Sequence, residues 1–371
     1  MLQQDSRHRA RAAALLGIVA LTIGTGSTVA QARPAEAPLD WTRTPVKRQP
    51  AMLNDIDAHP GATWAVGSDQ LGADEHRPLA MRWKNGRWTA TPQPVRTSAT
   101  LESVAVAGVN NVWAVGEDRA DPIKTKPLVM HWNGSAWRVV PGPAVPTGSF
   151  GEVEIAPDGT PWMAGWADLG GSEHAVVYRY AGGKWQPLAA GLEQSINANA
   201  LAVISATDVW LGLNAGLAHF DGKSWKLVDD LPTDGSQIPT ALTAAGPKNI
   251  WLVGVQHTGG PEGERPLAMH YDGRSWKQVT VPAGSAQLYD VALRNGRPVA
   301  VGERFEIDEN QFTTYPLVLE LRGQEFVTAP APAIDATTLT GIDIAQGRLW
   351  TSGITLDLKA SEFAGFAAFS K

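Results

Sequence analysis

Short apolar runs separated by turn residues dominate the chain, and residues 101–143 show the pattern most clearly. Four runs rich in β-branched, aliphatic and aromatic residues alternate there with polar turn segments. The pair Asn133-Gly134 joins the last two runs, and Asn-Gly between two such runs is the strongest short-range signal for a hairpin. The stretch therefore predicts a four-stranded antiparallel meander, with strands at residues 101–107, 111–117, 127–132 and 136–140.

The same unit recurs along the chain, marked by one aromatic series in its second strand and another in its fourth. Most members of a series are 48–51 residues apart. The second-strand series is Trp64, Trp113, Trp162, Trp210, Trp251, Val299 and Trp350, and the fourth-strand series is Trp88, Trp137, Trp185, Trp225, Trp276 and Phe326. Seven copies of a four-stranded sheet predict an all-β, seven-bladed β-propeller. The aromatic rings are expected to fill the wedges between blades.

The last copy has only three strands, because the chain ends at Lys371. A fourth-strand motif without a copy of its own surrounds Trp41, near the other end of the propeller region. This arrangement predicts that the strand at Trp41 closes the last blade and joins the two ends of the ring. We assign residues 40–371 to the propeller.

The N-terminal segment and the composition bear on compartment and partners. Residues 1–32 combine a basic start, an apolar core and the cleavage motif Ala30-Gln31-Ala32, which predicts a secretory signal peptide followed by a linker at residues 33–39. The mature protein is then extracellular, with no membrane insertion. The formal net charge of −6 argues against a nucleic-acid partner. The chain has no cysteine and hence no disulfide.

One face of the ring is expected to hold the binding function. In a meander blade, the loops between the second and third strands share a face with the connections between blades, and those loops vary most in this chain. We call it the variable-loop face. The predicted loops span residues 68–78, 117–127, 166–175, 256–266, 303–316 and 354–364. The candidate ligand-binding residues on this face are Asp69, Asp74, Arg77, Asp118, Trp166, Asp168, His257 and Arg304. Such residues suit a cationic or polyhydroxyl ligand or Ca²⁺, whereas solvated loops that confer solubility are the simpler interpretation.

A second acidic set falls on the predicted innermost strands. Asp55, Glu152 and Asp290 share one repeat position, provided that small gaps are placed before the second strand. Because carboxylates are costly in a dry interior, we expect them to border the axial channel. They are the candidate ligands for Ca²⁺, with a water cluster as the alternative. No other cofactor is indicated.

Two His–carboxylate pairs are the candidate catalytic residues. Glu75 precedes His76 and Glu173 precedes His174, all in predicted loops of the variable-loop face. Such a pair can perform general acid–base chemistry or hold a metal. The sequence leaves open whether blades one and three bring the pairs together. Three other histidines, His131, His219 and His270, share one repeat position and are expected to be structural.

The units LESVAVAGVNNVWAVGE and IPTALTAAGPKNIWLVGV, each followed by a PLVMHW- or PLAMHY-type third strand and an (N/D)G-x-x-W turn, resemble the repeats of secreted actinobacterial β-propeller proteins. They are more loosely similar to BNR/Kelch-like repeats. The resemblance implies a recognition scaffold and carries no catalytic residues. A galactose-oxidase-like radical copper site, also known on such folds, needs a cysteine that this chain lacks.

Two functional hypotheses follow. The first is a secreted, non-enzymatic recognition protein, a monomer that binds a carbohydrate, a peptide or a protein on the variable-loop face. The second is a propeller lyase or hydrolase that uses the loop histidines and carboxylates over the central channel. Convergence of those side chains in one pocket would favour the enzyme.

Overall fold

The computed structural model describes residues 38–46, 50–70, 75–121, 123–188, 192, 195–214, 216–228, 231–232, 237–257, 263–308, 311–334, 337–357 and 362–371. The predicted signal peptide and most of the predicted linker lie outside these residues. Every regular element in the described part is a β-strand. No helix long and apolar enough to cross a membrane occurs there.

The strands form seven four-stranded antiparallel sheets arranged as a ring, so the predicted seven-bladed β-propeller is confirmed. The strand bounds, blade by blade, are β2 Ala51–His59, β3 Ala62–Gln70, β4 His76–Lys84 and β5 Arg87–Ala90; β6 Ala99–Gly108, β7 Asn111–Asp118, β8 Lys126–Trp132 and β9 Trp137–Val139; β10 Gly148–Ile155, β11 Pro161–Asp168, β12 Glu173–Ala181 and β13 Lys184–Pro187; β14 Ala198–Ser205, β15 Asp208–Leu213, β16 Gly216–Phe220 and β17 Trp225–Leu227; β18 Gln237–Gly246, β19 Asn249–His257, β20 Glu264–Tyr271 and β21 Trp276–Gln278; β22 Ala286–Arg294, β23 Arg297–Asp308, β24 Gln311–Arg322 and β25 Glu325–Thr328; β26 Thr337–Ala345, β27 Arg348–Asp357, β28 Glu362–Ser370 and β1 Trp41–Arg43. The innermost strands of consecutive blades contact each other around the ring, and β26 contacts β2.

The ring closes through the N-terminal strand, as predicted. β1 pairs antiparallel with β28, and Trp41 lies opposite Ser370. The next residues extend this join, because Thr44 donates both its backbone N–H and its hydroxyl to the carbonyl of Ala367, each at 2.8 Å. Blade seven therefore contains strands from both ends of the propeller region, and this pairing closes the ring.

Aromatic rings fill the wedges between blades. Trp64 of blade one contacts Trp132 and Trp137 of blade two at ring-centroid distances of 5.1 and 5.3 Å. Trp350 of blade seven contacts Trp83 of blade one at 5.2 Å. Such contacts add to the burial of large apolar surface, so the tryptophan series holds neighbouring blades together.

The repeated histidines have the structural role that their shared position predicts. His131 lies 4.5 Å from the ring of Trp113, and its Nε2 is 2.8 Å from Asn111 Oδ1. His270 stacks on Trp251 at 4.2 Å in the same way. Burial lowers the pKa of both histidines, which favours neutral rings at these positions.

The predicted variable loops are shorter than the sequence suggested, because the middle strands continue into them as β-hairpins. The largest difference is in blade six, where β23 and β24 remain paired as far as Asp308 and Gln311. Apolar and polar residues alternate in this extension, but many polar residues made it resemble a loop. Ladder hydrogen bonds between backbone groups join the two strands of this hairpin.

Candidate functional site

A β-bulge interrupts the innermost strand of every blade at the same place. In blade one the pairing moves from Leu53 opposite Gly67 to Asp55 opposite Val66, so Asn54 has no partner in the ladder. A bulge commonly turns a side chain in a new direction next to a binding site. The seven bulge residues, which we call the bulge ring, are Asn54, Glu102, Gly151, Asn199, Thr240, Tyr289 and Thr340.

A glycine in each second strand makes the bulge possible. In blade two a Cβ added to Gly116 would lie 2.1 Å from the carbonyl oxygen of Thr100, on the residue two positions before the bulge. Six of the seven glycines would meet a backbone oxygen at 2.0–2.3 Å, and Gly212 would instead meet two side-chain atoms at 2.8 Å. Any larger residue would push the two strands apart. The glycine of the repeated Trp-Ala-Val-Gly motif therefore lies opposite the bulge, and in six blades it pairs with the residue just before the bulge residue.

The bulge ring lines the axial channel at its mouth. All seven members border one open cavity of about 530 Å³, which we call the vestibule. The bulge lies near the start of the first strand, which pairs with the end of the second strand, so the vestibule opens on the variable-loop face. Below it the channel narrows to a chamber of about 60 Å³, which Asp55, Glu152 and Asp290 help to line.

Hydrogen bonds between blades fix part of the bulge ring. Asn54 Nδ2, Thr240 Oγ1 and Thr340 Oγ1 each donate to a carbonyl oxygen of the next blade, at 3.0, 2.6 and 2.7 Å. Gly151 contributes no side chain, and a Cβ added there would meet no atom within 4 Å. These bonds fix three side chains of the bulge ring, whereas Gly151 leaves free space beside the vestibule at blade three.

The Asp55 carboxylate holds two blades together. Its Oδ1 accepts a hydrogen bond from Ile56 N at 2.7 Å, and its Oδ2 accepts from Ser103 Oγ at 3.0 Å and from Val104 N at 2.9 Å. Ser103 and Val104 belong to the next blade. These bonds compensate the desolvation of a carboxylate that is only 8% exposed.

Similar bonds recur around the ring, one of them again between blades one and two. A carboxylate oxygen on one innermost strand accepts a backbone N–H of the following blade at 2.7–2.9 Å. The donor–acceptor pairs are Ile342 N to Asp290, Val106 N to Asp57, Ala58 N to Asp343 and Val203 N to Glu154. Among the described residues, no three His, Asp or Glu side chains are placed to hold a metal ion. The Ca²⁺ site at Asp55, Glu152 and Asp290 stays a prediction.

A polar network extends from the vestibule to the rim. It begins at Tyr289, whose hydroxyl lies 2.6 Å from both Gln287 Oε1 and Glu303 Oε1. Burial, followed by the hydrogen bond to Glu303, raises the pKa of Tyr289, so the phenol stays protonated. The outer members of the network are Glu264, which accepts from Gln287 Nε2, and His257, whose Nδ1 lies 3.4 Å from Glu264 Oε1.

Glu102 is the titratable member of the bulge ring on the opposite side. Burial, and after it the Glu117 carboxylate, raises its pKa to about 7, while Arg119 opposes this shift. Asn54 Nδ2 donates to Glu102 Oε2 at 3.1 Å. Glu102 therefore exchanges a proton near neutral pH at the wall of the vestibule.

This pKa predicts a pH-dependent stability that Glu102→Gln removes. The folded protein binds the Glu102 proton more tightly than the unfolded chain does, so the stabilisation is complete below about pH 4.5 and is lost as the pH rises through 7. At pH 8 the variant should exceed the wild type by up to about 3 kcal/mol in free energy of unfolding, and at pH 4.5 the two should agree. Urea titrations at both pH values measure the difference. Glu173→Gln, at an exposed residue on the same face, is the control, and a difference independent of pH would contradict the assignment.

The predicted catalytic pairs do not line the vestibule. Glu75 pairs with Arg77 at 3.0 Å, and His76 Nδ1 lies 3.4 Å from Ser68 Oγ. Glu173 and His174 begin β12 in blade three. None of the four is among the residues that border the vestibule or the chamber.

The predicted ligand-binding residues are distributed around the rim of the variable-loop face. Asp118 and Asp168 accept backbone N–H groups of their own turns, at 2.9 and 2.7 Å. The Arg304 guanidinium lies 4.2 Å above the ring of Tyr315. Trp166, expected just beyond the second strand, lies within β11 and is partly exposed.

The other predicted ligand-binding residues are Asp69, Asp74, Arg77 and His257. Asp69 is buried opposite Arg77 in the β3–β4 ladder. His257 belongs to the polar network. Asp74 lies outside the described residues. The bulge ring was not predicted from the sequence, although the sequence contains two signals of it. One is the gaps needed to align the first strands, and the other is the glycine repeated in every second strand.

Solved structures similar to this chain are propellers. The GH74 xyloglucanase from Xanthomonas campestris matches with a TM-score of 0.54 and 14% identity, over 88% of this chain and 55% of the xyloglucanase. The extracellular domain of a protein described as a hybrid two component system from B. thetaiotaomicron matches with a TM-score of 0.54 and 11% identity, over 89% of this chain and 39% of that one. YCF48 bound to a D1 peptide matches with a TM-score of 0.36 and 16% identity, over 72% and 94%.

No family model matches the sequence, and no curated protein matches it significantly. The chain spans about half the length of the xyloglucanase and less of the two component protein. At these identities the likeness supports the fold alone. The chain is a seven-bladed β-propeller with a polar vestibule at the mouth of its axial channel.

Proposed function

We propose that this protein is a secreted, non-enzymatic recognition protein that binds a carbohydrate, peptide or protein segment in the vestibule on its variable-loop face. The observation that carries the proposal is the bulge ring. Seven blades each place one bulge residue at the same height around the channel mouth, and six of these residues have polar side chains. β-Bulges are over-represented next to functional sites, where they redirect a side chain.

The dimensions and chemistry of the vestibule support a ligand. Its volume of about 530 Å³ lies within the roughly 300–1,000 Å³ typical of small-molecule sites. Amide, hydroxyl and carboxyl groups surround it and can hydrogen-bond to sugar hydroxyls or to a peptide backbone. The hairpins that rise from each blade provide a wider rim for a larger partner.

The N-terminal sequence supports export. We place cleavage after Ala32, so the mature protein would begin at Arg33, which N-terminal sequencing of the exported protein tests. The repeat motifs support a relationship to secreted actinobacterial propellers with BNR/Kelch-like repeats. A monomer is consistent with a closed ring.

A plug in the vestibule tests the binding proposal. Gly151→Tyr fills the empty space at blade three, whereas Gly108→Tyr, in the same kind of open position on the opposite face, leaves the vestibule unchanged. A thermal-shift screen of oligosaccharides and peptides first identifies probes that bind the wild type. We expect Gly151→Tyr to weaken these probes at least tenfold and Gly108→Tyr to retain them. Probes that bind both variants equally would overturn the vestibule as the site.

One observation favours a second candidate, the lyase or hydrolase. A carboxyl group with a pKa of about 7 in a vestibule is suited to general acid catalysis. The acid would then be Glu102, in place of the loop histidines. If an oligosaccharide that binds is also cleaved, Glu102→Gln should abolish cleavage and preserve binding. Binding without turnover by the wild type would exclude this candidate for that ligand.

A further inference from the structure

A second cavity lies on the face opposite the vestibule, where blade seven meets blade one. It has a volume of about 340 Å³ and is bordered by the short turns of both blades. We call it the seam pocket. Its polar and aromatic walls include His59, Trp83 and Lys84 of blade one with Arg348 and Trp350 of blade seven.

Gly61, in the first turn of blade one, borders the seam pocket. In blade two the side chain of Asn110, in the first turn, covers Gly134 of the second turn, and a Cβ added to Gly134 would lie 2.5 Å from Asn110 Oδ1. Thr207 covers the corresponding glycine in blade four. In blade one the residue at this position is Gly61, and a Cβ added to Gly86 would meet no atom within 4 Å. The second turn of blade one is therefore uncovered, as are the second turns of blades three and six.

Blade seven places a cation at a position that blades two and five fill with asparagine. Arg348 begins β27 as Asn111 begins β7, where Asn111 binds the histidine and the tryptophan of its own blade. The Arg348 guanidinium instead lies 4.2 Å from the ring centroid of Phe369 and 5.5 Å from that of Trp350. Among the described residues, no carboxylate forms an ion pair with Arg348 or with Lys84. These stacking contacts hold the guanidinium in place and leave its N–H donors for a ligand.

The charge of the seam pocket contrasts with that of the axial channel. The described residues that border the pocket include an Arg, a Lys and a His, and none of them is acidic. Those that border the vestibule and the chamber include five carboxylates and no Lys, Arg or His. The partly exposed indole of Trp83 adds an aromatic wall, and the turn residues Asn85 and Gln346 add amide groups.

We propose that the seam pocket binds a carboxylate-bearing sugar ring, with the carboxylate at Arg348 and Lys84 and the ring against Trp83. A guanidinium recognises a carboxylate through two parallel N–H donors, which an ammonium reinforces as a point charge. The apolar face of a pyranose suits an indole wall, and its hydroxyls can reach the amides of Asn85 and Gln346. This site is independent of the vestibule and of the function proposed for it.

Calorimetric titration of the mature protein with D-glucuronate tests this proposal, with D-glucose and benzoate as comparison ligands. We expect D-glucuronate to bind the wild type and D-glucose to bind at least tenfold more weakly. Arg348→Met should weaken D-glucuronate at least tenfold, because it removes a hydrogen bond between two charged groups. Arg297→Met is the matched control, since Arg297 begins the second strand of blade six as Arg348 does in blade seven and is exposed.

Each result decides the proposal. Equal binding of D-glucuronate and D-glucose, no binding of D-glucuronate, or equal losses in Arg348→Met and Arg297→Met would overturn it. Benzoate bound as tightly as D-glucuronate would overturn the assignment to a sugar. If Arg348→Met lowers the midpoint of thermal unfolding, the titration is repeated with Lys84→Met instead. The Lys84 side chain is exposed, so this change should not affect folding. That variant should weaken D-glucuronate without changing the midpoint, and unchanged affinity would contradict the proposed site.

Discussion

Replacing Gly116 by alanine should lower the free energy of unfolding by about 3 kcal/mol. The added Cβ would lie 2.1 Å from Thr100 O and 2.9 Å from Leu101 Cα, both of them backbone atoms of the neighbouring strand. A side-chain rotation cannot relieve a clash between two backbones, so the innermost strand of blade two must move. That movement would disturb the bulge at Glu102 and the bonds that Ser103 and Val104 donate to Asp55 of blade one. It would also disturb the bond that Val153 N of blade three donates to Ser103 Oγ.

The control is Gly108→Ala in the same blade. A Cβ at Gly108 meets no atom within 4 Å, and its backbone is not in the left-handed region. This change should therefore leave stability within about 1 kcal/mol of the wild type, since Gly→Ala also reduces the entropy of the unfolded chain. Urea denaturation at pH 7 measures both variants. Equal stabilities of Gly116→Ala and Gly108→Ala would mean that the strands absorb the extra methyl group and that the glycine is not required.

The architecture followed from the sequence because it depends on a repeated pattern. Trp64, Trp113 and their equivalents recur mostly every 48–51 residues, and each must fill the same wedge between blades. A wrong assignment of strands in one copy changes the predicted fold little when the other six copies agree. The closing strand at Trp41 was predicted for the same reason: it matched the repeat and had no copy of its own.

The candidate site was harder to predict because a bulge moves a side chain to another face. A shift of one residue in register reverses which side chains face the core. Alignment on Ile56 placed Asp55 at the channel, whereas the bulge also exposes Asn54 at its mouth. The identity of the unpaired residue depends on pairing with β3, which hydrophobic periodicity does not specify.

The predicted charged residues of the rim loops do not line the vestibule. Asp118 and Asp168 stabilise their own turns, and Glu75 pairs with Arg77. Such local bonds are the usual use of Asp and Glu in turns, and their sequence signature is the same as that of a binding loop. Glu102 is the opposite case, a residue of the vestibule that its local sequence does not mark. Its pKa of about 7 arises from burial and from the Glu117 carboxylate.

Asp55→Ala should destabilise the protein by about 4 kcal/mol, because it removes the acceptor of three buried donors at once. Two of those donors, Ser103 Oγ and Val104 N, belong to the next blade, so the loss weakens a blade interface as well as one strand. Asp55→Asn should cost less, since its amide oxygen can still accept one of these bonds. The control is Asp158→Ala, at an exposed aspartate that accepts only the turn N–H of Thr160 at 2.9 Å. We expect that control to lose less than about 1 kcal/mol.

The same variants show whether the Asp55 carboxylate serves as an interblade hydrogen-bond acceptor or as a ligand of Ca²⁺. Each variant is unfolded in urea with EDTA and with Ca²⁺. If the Asp55 carboxylate serves the amides of blade two, the loss in Asp55→Ala is the same in both conditions, because no ion contributes to it. A wild type that gains stability with Ca²⁺, together with an Asp55→Ala variant that does not, would show that the channel carboxylates bind the ion. In that case the hydrogen bonds to Ser103 and Val104 would have to be shared with, or exchanged for, coordination of the metal.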